Sequence, residues 1–595
     1  MPLPKFVDHA VSSSVRLFHQ AQLNSAGIAP GWLVACALVV GACLRLPIAV
    51  PQYATEGSLV LAGIVQYPSS SLMNYYFLGS WTSLHQLGAL SLLAGVSQTI
   101  IDYLFCILPA GLLLSAMTML IHGFCGRPIF SLVAALICFS TTTVASNFAS
   151  TDYPLLGATW ASSREHTFGI WGAVGAAWVF GALGGGRNTT AGFSAAALIS
   201  IHPVIGLYTF GIMIVVVTVG YLFPNAFSTA GVGRGLLAGS AVTVISLAWY
   251  LAARPPVPSD IDTDAFATYL KVWDYHRSSK IDYGSVRALI APPLALAFLI
   301  VFFLLASRGR RGTADVGAMA LFLTISGSVL LFAAAHLGSP PQFFVNAIPG
   351  RFLNIHAYLS GAIILALATW FFTRLLVMTL AELSLLIPGG LSEKYFPPGP
   401  VLTAAIYGLF ALILAVRVGV WVPLEQFAAN LRQFVVAGHA PRFESSEINE
   451  AFWAHVKQVA PRGLFLPSRA ASFDAVTKGH LAIGFEPNGF DYVPYLPSTA
   501  HEVRRFVEIG YGVSFSDPPQ DLRSKGSLPL DAGREYWANL STVQWTDIGK
   551  DLGIVGLVAP RDWKIALAPD VIGTNFNLYI IPEMSQPKSP DTMKR

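Results

Sequence analysis

The sequence of 595 residues is 54% hydrophobic and 11% charged, with a mean hydropathy of +0.58, where soluble proteins carry roughly a quarter charged residues. One buried core cannot absorb that apolar surplus, so many segments must face lipid. The net charge of +4 forms no basic block, which argues against a nucleic-acid partner. The five cysteines, Cys36, Cys43, Cys106, Cys125 and Cys138, show neither a zinc spacing nor a disulfide framework.

The chain opens on a polar N-terminal arm, 1–31, whose mixed composition is not that of a cleavable signal peptide. A transmembrane domain follows over 32–423. Apolar runs of span length lie at 32–50, 103–122, 128–146, 167–184, 204–223, 235–252, 288–306, 316–335, 356–373 and 400–421. The shorter run 190–203 is an eleventh span that turns at His202-Pro203, because proline cannot donate to a preceding helix. Segment 375–388, with Glu382 inside it, suits an interfacial helix better than a span. The fold class expected is mainly α: a polytopic membrane protein of about eleven transmembrane helices, with a C-terminal soluble α/β domain.

Basic residues favour a cytoplasmic N-terminus: Lys5, Arg16, Arg127, Arg187, Arg234, Arg308, Arg310, Arg311, Arg374 and Lys394 then fall in inner loops. No Lys or Arg occurs between Arg45 and Arg127, which eases export of the large loop 51–100. That loop mixes Glu56 with aromatic, serine and half-apolar stretches (59–66, 84–95) suited to helices lying on the membrane surface. The loops at 147–166, 253–287 and 336–355 share its face, and an odd span count places the C-terminus there too. The expected location is the cell inner (plasma) membrane, with the C-terminal domain periplasmic or extracellular.

From 424 to 595 the apolar runs shrink to strand length. Gly463–Pro467, Ala482–Phe485, Ile554–Ala559 and Phe576–Ile581 read as strands, and Glu447–Val459, Thr499–Ile509 and Ala532–Leu552 as helices. Alternation of the two predicts an α/β domain. No glycine-rich phosphate loop follows any strand.

Several residues have the chemistry of a site. Glu56 is the sole acid between the N-terminal arm and Asp102. Beside lipid it could hold a metal or take a proton from a hydroxyl; otherwise it is a solvated charge at a helix start. Arg164, Glu165 and His166 open the fourth span, where Arg164 and His166 can bind a phosphate or the cluster simply anchors the helix. His202 lies in apolar surroundings, as a core histidine bonded to backbone or as a group facing a cavity. Arg351, with His336 and His356 nearby, can clamp a phosphate or reach ordinary headgroups, and Arg45 is similar. Asp260, Asp262 and Asp264 lack the glycine and final glutamate of a calcium loop and read as solvated.

The run Leu46-Pro-Ile-Ala-Val-Pro-Gln-Tyr-Ala-Thr-Glu56-Gly-Ser-Leu-Val-Leu-Ala-Gly63 follows one span and opens a large outer loop, with many spans and an α/β tail behind it. That layout, together with the tail's opening (Phe452-Trp453 through Pro461–Ser468), resembles the GT-C superfamily of polytopic glycosyltransferases. The resemblance implies transfer of a sugar from a polyprenyl-phosphate donor to an envelope glycan, lipid or protein, with inversion at the anomeric carbon. It maps the catalytic base or metal ligand onto Glu56, with Thr55 where a second acid often stands, and a further acid onto Asp152 or Glu165. Arg164, His166 and Arg351 would then stabilise the departing phosphate. A divalent metal is compatible with the group, although a single first-loop carboxylate leaves its use open. A transporter or flippase of an envelope lipid and a non-catalytic envelope scaffold are the alternative readings; the first would call for internal repeats and midplane charges that are not evident.

Overall fold

The computed structural model describes residues 28–46, 49, 54–125, 128–136, 139, 168–222, 229–256, 260–274, 446–490 and 492–582. In chain order its helices are α1 (Gly31–Arg45), α2 (Glu56–Leu61), α3 (Leu72–Gly79), α4 (Ser83–Leu93), α5 (Gln98–Cys125), α6 (Phe168–Gly184), α7 (Asn188–Ile201), α8 (Pro203–Leu222), α9 (Val232–Ala253) and α10 (Thr263–Thr268). The tail adds α11 (Ser446–Val459), α12 (Ser472–Thr477), α13 (Ala500–Arg505), α14 (Arg534–Ala538) and α15 (Thr542–Leu552). Its strands are β1 (Leu464–Pro467), β2 (Ala482–Ile483), β3 (Ile554–Pro560), β4 (Val571–Ile572) and β5 (Phe576–Ile580). The chain divides into two compact units.

The first unit draws on Met1–Val50, Tyr103–Val244 and Tyr283–Pro441. Among the described residues, Gln98–Gly123, Pro203–Leu222 and Val232–Ala253 are long and apolar enough to cross a bilayer. They coincide with the runs expected at 103–122, 204–223 and 235–252, and mark a membrane protein. The runs at 32–50 and 167–184 form the shorter apolar helices α1 and α6. The short run at 190–203 forms α7, and the remaining expected spans, apart from the start of 128–146, lie outside the described residues, as does 375–388. The expected turn at 202–203 is present: His202 is extended (φ −144, ψ 94) and Pro203 begins α8, the first helical position where a missing N–H costs nothing.

Lipid offers the helices no water for stray polar groups, so close backbone packing and internal hydrogen bonds must hold them together. Gly41 of α1 and Gly111 of α5 face one another's helices, and a Cβ on Gly41 would come within 2.7 Å of the Ala110 carbonyl oxygen. Pro109 lies inside α5 and leaves the Phe105 carbonyl without its usual intrahelical donor. The Trp171 indole N–H of α6 takes that place at 3.1 Å. Thr243 of α9 likewise donates to the Ala196 carbonyl of α7 at 2.7 Å.

The second unit is assembled from three distant stretches, Pro51–Asp102, Ile245–Asp282 and Arg442–Arg595. Its sheet has the order β2-β1-β3-β5-β4, parallel across β2, β1 and β3 and antiparallel from β3 onward. The first six residues of β3 are all buried, which explains why that run is unbroken in hydrophobicity rather than alternating. Around the sheet lies an aromatic core in which Trp273, Trp453, Trp537, Trp545 and Tyr511 are all but fully buried. Trp273 comes from the loop at 253–287, and its indole donates to the Phe515 carbonyl at 2.7 Å. Asp262 is no idle solvated charge: it caps α10 through Ala265 N at 2.9 Å and pairs with His501 at 3.1 Å.

The helix expected over Ala532–Leu552 is two helices, α14 and α15, divided at Asn539–Ser541. Ser541 and Gln544 form a reciprocal capping box that starts α15 anew, a pattern of serine and glutamine three apart that outranks the apolar periodicity. Ser541→Ala is expected to cost about 1 kcal/mol, seen as a lower unfolding midpoint of the second unit. An unchanged midpoint would mean that the box contributes nothing net.

Candidate functional site

The local sequence turns Glu56 inward. The residue before α2, Thr55, does not cap that helix; its hydroxyl donates instead to Asp102 Oδ1 at 2.7 Å, in the first turns of α5. Glu56 follows at the start of α2 with only 7% of its surface exposed, and Asp102 has 8%. The imidazole of His85, from α4, lies against Gly57 so closely that a Cβ there would overlap the ring. Gly57→Ala is therefore expected to cost about 1–3 kcal/mol by overpacking. The cost should shrink in a His85→Ala background, and equal costs in both backgrounds would remove the ring as its cause.

The tail brings a second carboxylate to the same unit. Glu486 lies just past the end of β2, is 6% exposed, and was not foreseen as a site residue. Its Oε1 accepts from the Ser472 hydroxyl and from the Asn488 N–H, both at 2.9 Å. Arg469, just past the end of β1, lends a favourable positive charge. Helix α12 connects β1 to β2, while β3 pairs with the opposite edge of β1. Glu486, Arg469 and Ser468 thus stand at the carboxyl ends of parallel strands, next to the point where the connections diverge, where α/β sheets bind ligands. Tyr67, between α2 and α3, accepts the Ile483 N–H of β2 at 3.3 Å and joins the first loop to this edge.

Among the described residues, Glu56 Oε1, Glu486 Oε2 and Ser468 Oγ are buried polar atoms with no hydrogen-bond partner. A buried acceptor left unmatched costs free energy, more so if charged. Burial accordingly raises the Glu56 pKa well above the ordinary carboxylate range, with further upward pressure from Glu486 and then Asp102. Burial raises Glu486 as well, but its donors and Arg469 oppose the shift. Of the two, Glu486 is thus the one better equipped to stay charged. Burial also pushes the Tyr67 phenol up, so it stays neutral.

Among the described residues, no group of three or more His, Cys, Asp or Glu could hold a metal ion. Asp102 Oδ1 accepts from Thr55, and Glu486 Oε1 from Ser472 and Asn488. Of the other residues singled out from sequence, His202 belongs to the first unit. Its Nδ1 accepts from Ile205 N at 3.4 Å, and its ring packs against Gly172 of α6. Asp152, Arg164, Glu165, His166 and Arg351 lie outside the described residues.

No protein-family model matches the sequence, and no curated protein matches it. Among solved structures, the archaeal oligosaccharyltransferase AglB from Archaeoglobus fulgidus, in complex with an inhibitory peptide and a dolichol-phosphate, is similar over 89% of this chain and 70% of its own. The identity is 11% and the TM-score 0.36. A likeness that loose transfers no mechanism, and function here rests on the chemistry of the carboxylates.

Proposed function

We propose that the chain is a membrane glycosyltransferase of GT-C type, moving a sugar from a polyprenyl-phosphate donor to an envelope acceptor on the outer face of the membrane. The observation that carries this reading is the placement of Glu56: a buried carboxylate, its pKa raised by that burial, with an oxygen that has no partner among the described residues. It is linked through Thr55 and Asp102 to the start of a helix able to span the bilayer. A carboxylate with a raised pKa is suited to accept a proton near neutral pH, where a solvated one is too weak a base.

In the proposed reaction Glu56, in its ionised form, takes the proton of an acceptor hydroxyl or amine as the acceptor attacks the anomeric carbon. The bond from that carbon to the phosphate oxygen breaks, and the polyprenyl phosphate leaves with the electron pair. Arg164, His166 and Arg351 are the cations assigned from sequence to the growing phosphate charge, and Asp152 or Glu165 is the further acid that the resemblance implies. The lipid tail of the donor would lie along the apolar helices.

The test is a transfer assay on the full-length protein in detergent or proteoliposomes, with a radiolabelled polyprenyl-phosphate sugar and cell-envelope acceptors. Glu56-dependent release of polyprenyl phosphate supports the reading. Undiminished release by Glu56→Gln would exclude Glu56 from the chemistry.

A further inference from the structure

Glu486 has no place in the mechanism above, yet it is the most constrained acid of the tail. We infer that Glu56 and Glu486 work as one proton-sharing pair, in which the tail's Glu486 is a positioning residue that sets when Glu56 can act as a base. The inference deepens the proposed function and rests on it for the catalytic consequence.

Geometry carries the case. Both side chains are more than nine-tenths buried in the same compact unit, and each leaves one carboxylate oxygen without a partner. Tyr67 of the first loop accepts from Ile483 N, three residues before Glu486, and α2 packs against α12, whose Ser472 donates to Glu486, so the two bare carboxylate oxygens converge on one dry region that a single proton accommodates. The pair is asymmetric by construction. Glu486 Oε1 is held by Ser472 and Asn488, which are themselves tied to Arg469: the Asn488 amide donates to the Arg469 carbonyl at 3.2 Å, and its side-chain oxygen accepts from Arg469 Nε at 2.9 Å. That frame fixes Glu486 as the ionised partner and leaves the proton with Glu56.

The groups bearing on the pair are few. Glu56 is influenced by Glu486 and by Asp102 at the start of α5, with the His85 ring against the adjacent Gly57. Glu486 is influenced by Arg469, and its charge in turn bears on Tyr67 and Tyr511. Tyr511 is itself anchored, donating to the Pro467 carbonyl at 2.6 Å. Only Arg469 among these favours the charged form of an acid.

The consequence is a defined pH behaviour. Removing the charge of Glu486 relieves its repulsion of Glu56, which then gives up its proton at lower pH. The experiment compares wild type, Glu486→Gln and Glu56→Gln as full-length protein, by the pH profile of transfer and by thermal unfolding from acid to neutral pH. A raised folded-state pKa gives stability that is complete below the ordinary carboxylate range and is lost as pH rises through the folded value. Wild type should lose stability across that window, and both variants should lose less. In the transfer profile the acid limb of Glu486→Gln should shift to lower pH, which a merely structural role would not produce. Unchanged acid limb and unchanged stability slope in Glu486→Gln would overturn the pairing. If wild type transfers no sugar, the proposed function fails while the stability comparison still decides the pair. Should Glu486→Gln not fold, the infrared carbonyl stretch of protonated acid in wild type keeps the question open to decision. A band that persists near neutral pH supports the pair, and its absence there refutes it.

Discussion

Replacement of Glu56 by glutamine is expected to slow sugar transfer by about 10²–10⁴-fold, the usual contribution of a positioned general base, while leaving the fold no less stable at neutral pH. The two halves of this result have one cause. Glutamine matches the shape of glutamate and keeps the packing of α2, but it cannot accept a proton at working pH. It also has no charge to bury. Wild type holds Glu56 neutral against its tendency to ionise once unfolded, a tendency that burial, Glu486 and Asp102 all oppose. As pH rises above the ordinary carboxylate range, the unfolded chain releases that proton at lower pH than the folded one, so stability declines until the folded chain ionises too. Glutamine removes the decline. Activity lost together with stability would point to a structural acid instead, and activity retained would end the case for Glu56 as base. Transfer rates and unfolding midpoints measured on the same preparations distinguish these outcomes.

Trp537→Ala is expected to destabilise the second unit by about 3–5 kcal/mol. The side chain is fully buried, and its indole N–H donates to the Gly510 carbonyl at 2.7 Å. Its ring meets Tyr511, Trp545 and Trp563 at centroid separations of 5.7, 5.7 and 5.1 Å. Truncation opens a large cavity and strands a buried carbonyl, two costs that add. Against a typical total stability of about 5–15 kcal/mol, that loss is enough to populate the unfolded tail. Limited proteolysis of the full chain should then cut within 446–582 much faster than in wild type. Because Tyr511 touches both Trp537 and Pro467, at the end of β1, the carboxylate edge of the sheet should loosen with it. A proteolysis rate within twofold of wild type would show that the aromatic cluster is dispensable.

The spans were the most legible part of the chain, for a plain reason. A lipid-facing helix must be apolar over its whole length, so runs such as 103–122, 204–223 and 235–252 announce themselves, and His202-Pro203 marks its own turn. Buried strands were readable on similar grounds, since IVGLVA in β3 has no wet face. Short or irregular elements were not. The two-residue strand Val571–Ile572 is held by pairing with β5 rather than by any pattern of its own. Helix α12 is six residues long, too short for a periodicity to emerge.

Glu56 was conspicuous in sequence as a lone acid in a long uncharged stretch, a local property of the chain. Nothing local distinguishes Glu486, one of several acids in an ordinary polar tail. Its importance comes from burial at the end of β2 and from the donors Ser472 and Asn488. In the same way, Trp273 and Asp262 belong to a loop whose sequence reads as solvated, yet one fills the tail's core and the other caps a helix and pairs with His501. Sequence by itself determined which stretches are apolar enough to enter a bilayer and which acid stands out, because transfer between water and lipid depends on composition over short windows. Tertiary structure alone decided that residues from 54–102, 245–274 and 446–582 make one unit with two carboxylates in it. Burial and electrostatic coupling depend on distances in space, and the order of residues along a chain does not specify them.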